Sequence, residues 1–466
     1  MLPRLRAAAE GRGALPGAAR PAAAWVSLRA GNCEGWAEWA EPALALFRGP
    51  ALAPPGSVLH TWGLAEDGRL GRGYQALDRG VCAEAGAVEV LRNEDLCALA
   101  LGSHSAAVTA EDRLFIWGTF RAEEEKPGQP DEGGADAAGG GAHDEVDMLV
   151  EPALQQTPCV PHDVACGRFV TVVLSAEGRL FAWGPNDAYQ CGAKGAPVLR
   201  RITELRTPQR SPVVRVALGE FHGLALTAAG AALAWGMEQG PEVAMRPGSD
   251  LGPRLGMLPE RAALNQPEPR ELDLPCRVAA VAAGGFHSAL LTEDGRLWLW
   301  GSNDQGQLGH GPEVKAARQP RPVEALRGRR MALASLGGFH SAAVDEHGSL
   351  FTWGDNRRGQ CGQGEAAAVP RPAELALAAA RPPCLGASCG GFFSLFEAPA
   401  EAAEEGSGRP RTQVYACGWG KEGCLGFGQA CKRMRRPQPI PAAPAGRRWA
   451  RMQAGMVHVA GLLAQE

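Results

Sequence analysis

The chain has 466 residues, 45% hydrophobic and 21% charged, with a formal net charge of -4, which fits a globular protein and gives no global basic field for wholesale nucleic-acid binding. Its 13 cysteines, an odd number without a secretory signal, read as free thiols and not as a disulfide framework. A membrane span would need an apolar run of about 18 residues, and the sequence has none.

In chain order, residues 1–56 read as an extension outside the repeated part. Arg4, Arg6, Arg12, Arg20 and Arg29 stand against the single acid Glu10, the charge balance of an organelle transit peptide. Pro3, Pro16 and several glycines interrupt an amphipathic helix, so a disordered Ala/Pro/Gly tail is the alternative reading. The first reading implies a mitochondrial or plastid address and the second a cytoplasmic one.

From residue 57 the sequence repeats itself. Trp-Gly pairs occur at Trp62, Trp117, Trp183, Trp235, Trp300 and Trp353, and Cys417-Gly418 makes a seventh copy. A second signature runs in step, from G-S-H-S at Gly102 through G-R-F-V at Gly167 and G-E-F-H at Gly219 to G-G-F-H at Gly284. It continues as G-G-F-H at Gly337, G-G-F-F at Gly390 and G-M-V-H at Gly455. Between the two signatures lie two short strands and a turn, clearest in S-A-L-L-T-E-D-G-R-L-W-L-W-G at 288–301. A third signature follows the Trp-Gly, reading S-N-D-Q-G-Q-L-G-H-G at 302–311, with echoes at 185–192, 355–364 and 419–428. The copies after Trp117 and Trp235 have lost it.

Two segments interrupt this rhythm. Residues 121–151 form an insertion with ten acids against Arg121 and Lys126, which reads as a solvated acidic loop. Residues 237–275 are irregular and rich in proline. The end of the chain carries a basic run, Lys432, Arg433, Arg435 and Arg436, read as a loop that is either solvated, a nuclear address or a phosphate-contacting patch. The first copy lacks its Gly-His strand, and residues 455–463 supply one. Pairing 57–63 with 455–463 therefore predicts a closed ring without open sheet edges.

The three-part pattern resembles the regulator-of-chromosome-condensation repeat over residues 57–463 and predicts an all-β, seven-bladed β-propeller closed by its N- and C-terminal strands. A WD-repeat propeller would need shorter blades and Trp-Asp. A kelch propeller would use tyrosine, of which this chain has 3. Family members that sense ultraviolet light carry tryptophan where this chain has Phe286, Phe339 and Phe392, which speaks against photoreception.

Several apparent chemical motifs dissolve on alignment to the repeat. Gly418 to Gly423 matches G-x-G-x-x-G but superposes on 301–306, a loop with no following helix. Gly386 to Gly390 matches G-x-S-x-G, yet it enters a blade where a nucleophile elbow cannot form, and nothing pairs with Ser388 as a base. Cys159, His162 and Cys166 have ligand-like spacing, but Cys166 takes an apolar position of sister copies. His104, His222, His287, His340 and His458 are read as histidines lodged between blades, because Val170 and Phe393 replace them in two copies. The repeated tryptophans are read as blade cores.

This leaves no covalent catalysis, no metal and no cofactor. The family resemblance implies either guanine-nucleotide exchange on a small GTPase or a non-catalytic scaffold in an organellar or chromatin-associated complex. The expected partner is therefore a protein, with nucleic acid or chromatin reachable through the basic run, and the chain is expected to be a monomer. Candidate partner contacts are Asn303, Asp304, Asn356, Arg357 and Arg358 in the third-signature loops, together with Lys432, Arg433, Arg435 and Arg436.

Overall fold

The computed structural model describes residues 56–120, 147–208, 211–237, 265–400, 412–428, 431–441, 443 and 449–464. The N-terminal arginines, residues 121–146 of the acidic insertion and residues 238–264 lie outside them.

Seven four-stranded antiparallel sheets make the seven blades of a β-propeller. Blade one contains Val81–Ala87, Val58–Leu64, His458–Leu463 and Trp449–Ala454 in that order, so both ends of the repeated part share one sheet. The register runs from Val58↔Leu463 to Gly63↔His458, the closure that the split first copy implies. Blades two to seven follow in chain order, starting at Leu96, Pro161, Val213, Val278, Met331 and Gly386.

The two central strands of each blade are covered on both faces by neighbouring blades. This is why segments such as His287–Thr292 and Leu297–Ser302 are buried at nearly every position rather than at alternate ones. One core cluster joins Leu224, Leu290, Trp300, Leu308, Met331 and Trp353 across three blades.

The Trp-Gly signature has a steric origin. Gly301 has φ 113°, and a Cβ there would lie 2.8 Å from the Cα of His287, its partner across the ladder. Only glycine combines that backbone conformation with that approach. The outermost strands have a different character, reading A-A-R-Q-P-R-P at Ala316–Pro322 and R-M-R-R-P-Q-P at Arg433–Pro439. Proline is tolerated there because an edge strand leaves one row of backbone groups unpaired. Residues 147–151 open the outer strand of blade two, Asp147–Gln155, and Asn265–Glu271 within the irregular stretch is the outer strand of blade four.

Five of the seven blades are tied to the next by a histidine. Nε2 lies 2.6 Å from Thr171 Oγ1 for His104, 2.9 Å from Ser288 Oγ for His222 and 2.9 Å from Ser341 Oγ for His287. It lies 2.8 Å from Ser394 Oγ for His340 and 3.0 Å from Ser105 Oγ for His458. Ser105, Ser341 and Ser394 donate their own hydroxyl protons to the carbonyls of Arg69, Gln307 and Gln360. Their oxygens therefore accept from the rings, which fixes the Nε2–H tautomer at His458, His287 and His340. Where a copy has Val170 or Phe393 in place of the histidine, the next copy has Gly223 or Val459 in place of the hydroxyl. Donor and acceptor are lost together, which avoids leaving a buried polar group unpaired.

The tryptophans use the third-signature loops in the same way. Nε1 of Trp353 donates to Gln307 O at 2.9 Å, that of Trp235 to Gln190 O at 3.0 Å and that of Trp62 to Cys424 O at 3.1 Å. Cys417, standing where the seventh tryptophan would be, points its thiol at Gln360 O. Trp300 follows the blade that has lost this loop, and its buried Nε1 finds no acceptor among the described residues. Both Trp300 and Trp353 are fully buried, so Trp→Phe removes similar volume at each. Trp353→Phe should nevertheless lose about 1–3 kcal/mol more than Trp300→Phe, because among the described residues only Trp353 has an acceptor to lose. Urea unfolding of the two variants measures the difference, and equal losses would show that the indole bond adds nothing.

Candidate protein-binding face

The turns between first and second strands and the described loops between third and fourth strands emerge on the same face of the ring. The first set surrounds the mouth of the central channel. Its glycines pack against one another around the ring: a Cβ on Gly102 would meet Gly167 O at 2.5 Å, one on Gly284 would meet Gly337 O at 2.7 Å, and one on Gly390 would meet Gly455 O at 2.6 Å. That close approach accounts for the second signature. Behind the mouth the channel opens into a cavity of about 270 Å³ whose charged lining is Asp163, Arg215 and Arg451.

Immediately outside the glycines of blades three to seven stands an incomplete annulus of half-buried phenylalanines: Phe169, Phe221, Phe286, Phe339 and Phe392. Phe286 and Phe339 stack with centroids 4.7 Å apart. The Arg168 guanidinium lies over Phe221 at 5.4 Å and pairs with Glu220. The Arg358 guanidinium lies 4.1 Å from the Phe392 centroid and 4.6 Å from that of Trp419. Aromatic and arginine side chains held in place but open on one side are the residue types that anchor protein interfaces.

The loops between third and fourth strands form the outer part of this face. The residues that repeat in them build the loop itself. Asn303 Nδ2 donates to Gly311 O and Val314 O, while its Oδ1 accepts the Leu308 amide at 2.7 Å. Asn356 repeats this with Gly364, Ala366 and Cys361. Both asparagines are buried and fully engaged, so the expectation that they contact a partner is corrected: they are braces of the loop. Asp304 and Arg357 between the braces are exposed, and Arg358 is half-buried. Arg357 holds Asp355 through two hydrogen bonds of 2.8 and 3.2 Å, and this ion pair raises the arginine's pKa.

The basic run is also relocated. Lys432 leads into the outer strand Arg433–Pro439 of blade seven, which carries Arg433, Arg435 and Arg436, so most of it is strand and not loop. Arg433 Nη1 reaches Arg357 O at 3.2 Å, and the Gly364 amide donates to Arg435 O at 2.9 Å. The structure thus brings Arg357 and Arg358 of blade six beside the basic strand of blade seven. The blade-five loop that carries Asp304 packs instead on the outer strand of blade six, where the Gly311 amide donates to Pro370 O at 3.0 Å.

The motif-like segments are structural. The Ser388 hydroxyl accepts the Ala454 amide at 2.9 Å, and the Gly420 amide within Gly418 to Gly423 donates to Lys432 O at 3.0 Å. Burial pushes the thiols of Cys166, Cys191 and Cys361 upward, away from the reactive thiolate. Sequence reading missed the phenylalanine annulus as a surface, because one Phe per copy looks like core. It also missed the loop Glu66 to Gly73 after Trp62, a diverged third signature whose Arg69 carbonyl accepts Trp117 Nε1 at 3.0 Å.

Comparison with known proteins identifies the family of the chain. The family model described as RCC1-like domain matches residues 51–396. The human E3 ubiquitin-protein ligase HERC2 is 32% identical over 298 residues, covering 63% of this chain and 5% of that protein. The secretion-regulating guanine nucleotide exchange factor of Bos taurus is 29% identical over 315 residues, covering 66% of this chain and 62% of that protein. The chain therefore spans less than two thirds of the length of either relative. The crystal structure of Prp20p from Saccharomyces cerevisiae, described with its binding properties to Gsp1p and histones, superposes with a TM-score of 0.70. That match has 20% sequence identity and covers 91% of this chain and 95% of that one, a likeness of fold.

Proposed function

The chain belongs to the RCC1-like domain family, and from that premise we propose that it is a protein-binding platform whose working surface is the face just described. Guanine-nucleotide exchange on a small GTPase is its most specific activity in this reading. The observation that carries the platform is the annulus of Phe169, Phe221, Phe286, Phe339 and Phe392 with Arg168 and Arg358 stacked on it, all on the face that also bears the variable loops. The likeness to a named exchange factor of Bos taurus supports the finer reading.

Exchange needs no nucleophile from this chain. A face that binds the nucleotide-free GTPase more tightly than the loaded form lowers nucleotide affinity by the same factor, because the linkage is reciprocal. The rigid ring suits this, since loops that are already ordered give up little entropy on binding. Arg357 and Arg358 lie where they could guide encounter and orient the partner. A scaffold role is the second reading, favoured by the match to a small part of a long ligase.

The deciding experiment follows release of a fluorescent guanine nucleotide from a panel of small GTPases. Exchange predicts at least about tenfold acceleration for one of them, reduced by Arg357→Gln with Arg358→Gln, which set no carboxylate against buried Asp355, with a cooperative melting transition retained. No acceleration across the panel, together with stable binding to an unrelated protein complex, selects the scaffold.

A further inference from the structure

We infer that the sector shared by blades six and seven is a docking site for an acidic segment of the partner protein. The inference rests on the platform reading and supplies the partner's chemistry. The chain as a whole is acidic, at -4, yet this sector concentrates Arg357, Arg358, Lys432, Arg433, Arg435 and Arg436. The acids among them are Asp355, Glu365 and Glu422. Asp355 is buried and holds Arg357, and Glu365 pairs with Arg435. Arg358, Lys432, Arg433 and Arg436 have no carboxylate partner among the described residues.

Arg358 is the most pre-organised of these cations. Phe392 and Trp419 hold its guanidinium at 4.1 and 4.6 Å, while its backbone amide is fixed on Gln360 Oε1 at 3.0 Å. Aromatic contacts fix the plane without using its N–H donors, which remain available for a two-pronged hydrogen bond to a carboxylate. Arg433 stands directly across the ladder from Trp419 and touches Arg357 O, so the second cation is positioned next to the first. An extended acidic segment lying along the outer strand Arg433–Pro439 would meet Lys432, Arg433 and Arg436 in turn and present a side chain to Arg358.

Fluorescence anisotropy with a labelled oligoglutamate peptide tests this on the full chain, with oligolysine and single-stranded DNA as competing probes. The wild type should bind oligoglutamate in a salt-dependent manner and ignore oligolysine. Lys432→Glu with Arg436→Glu, both at exposed positions, should weaken binding at least about tenfold with an unchanged melting midpoint. Arg358→Lys should weaken it by less, because the charge remains and the planar fork is lost. Equal oligoglutamate affinity in the charge-reversed chain overturns the inference. So does tighter binding of the DNA through the same residues, which would make this a phosphate-backbone site. The two readings fail separately. If only the docking site is wrong, partner engagement survives these substitutions. If only the platform is wrong, oligoglutamate binding still depends on them while no GTPase or complex is engaged.

Discussion

A chain that stops at Ala454 is expected to lose its cooperative unfolding transition altogether. The strand His458–Leu463 is hydrogen-bonded on one side to Val58–Leu64 and on the other to Trp449–Ala454, so its removal disconnects blade one and opens two edges. Val459, Ala460, Leu462 and Leu463 are all buried. At about 1.5–3 kcal/mol for each valine or leucine side chain, apolar burial alone gives a loss of about 5–9 kcal/mol. That is comparable with the whole stability of an ordinary domain, about 5–15 kcal/mol. The truncation also removes His458 and strips Ser105 of its cross-blade donor. Thermal melting followed by near-ultraviolet circular dichroism reads the outcome, and a transition within a few degrees of the full chain would mean that the ring does not depend on its closing strand.

The second large effect is expected on acidification. Burial holds the imidazole pKa of His104 and His340 down to about 4, and that of His287 and His458 to about 3, below the ordinary 6.5. Between those values and 6.5 the unfolded chain binds more protons than the folded one, so stability rises with pH in this window. It is fully present above 6.5 and is lost as the pH falls towards 4 and 3. Lowering the pH from 7 to 5 should remove about 2 kcal/mol for each ring, on the order of 8 kcal/mol for the four. Buried Asp163 and Glu397, whose pKa values are raised, act in the opposite direction and are relieved by protonation. Four rings should outweigh two carboxyls. Urea midpoints at pH 7, 6 and 5 should therefore fall steeply, and a flat profile down to pH 5 would place the histidines in contact with water.

Which parts of this architecture were legible in the sequence follows from how strongly each position is constrained. Gly301 and its sisters have no alternative residue, so the Trp-Gly copies count the blades directly. The histidines are tied to hydroxyls one residue beyond the next copy's histidine position, at Thr171, Ser288, Ser341, Ser394 and Ser105. That pairing, with its joint loss at Val170 with Gly223 and Phe393 with Val459, was present in the sequence as a lag of one copy. A column-by-column reading does not see it. The outer strands were poorly legible because little packs on their outward side. The run Arg433–Pro439 therefore has no apolar alternation and looks like a basic loop. The partner candidates divided for a related reason: Asn303 and Asn356 recur because the loop needs them, whereas exposed Arg357 and half-buried Arg358 take no part in bracing it through their side chains.

The central claim is that one face of the ring engages the partner, and amide hydrogen exchange of the chain with and without its captured partner tests it most directly. Protection should appear in the turns at 167–170, 219–222, 284–287, 337–340 and 390–393, and in the loops at 303–315 and 356–367. Protection confined to the opposite-face hairpins at 176–179, 229–231, 293–296 and 346–349 would contradict the account.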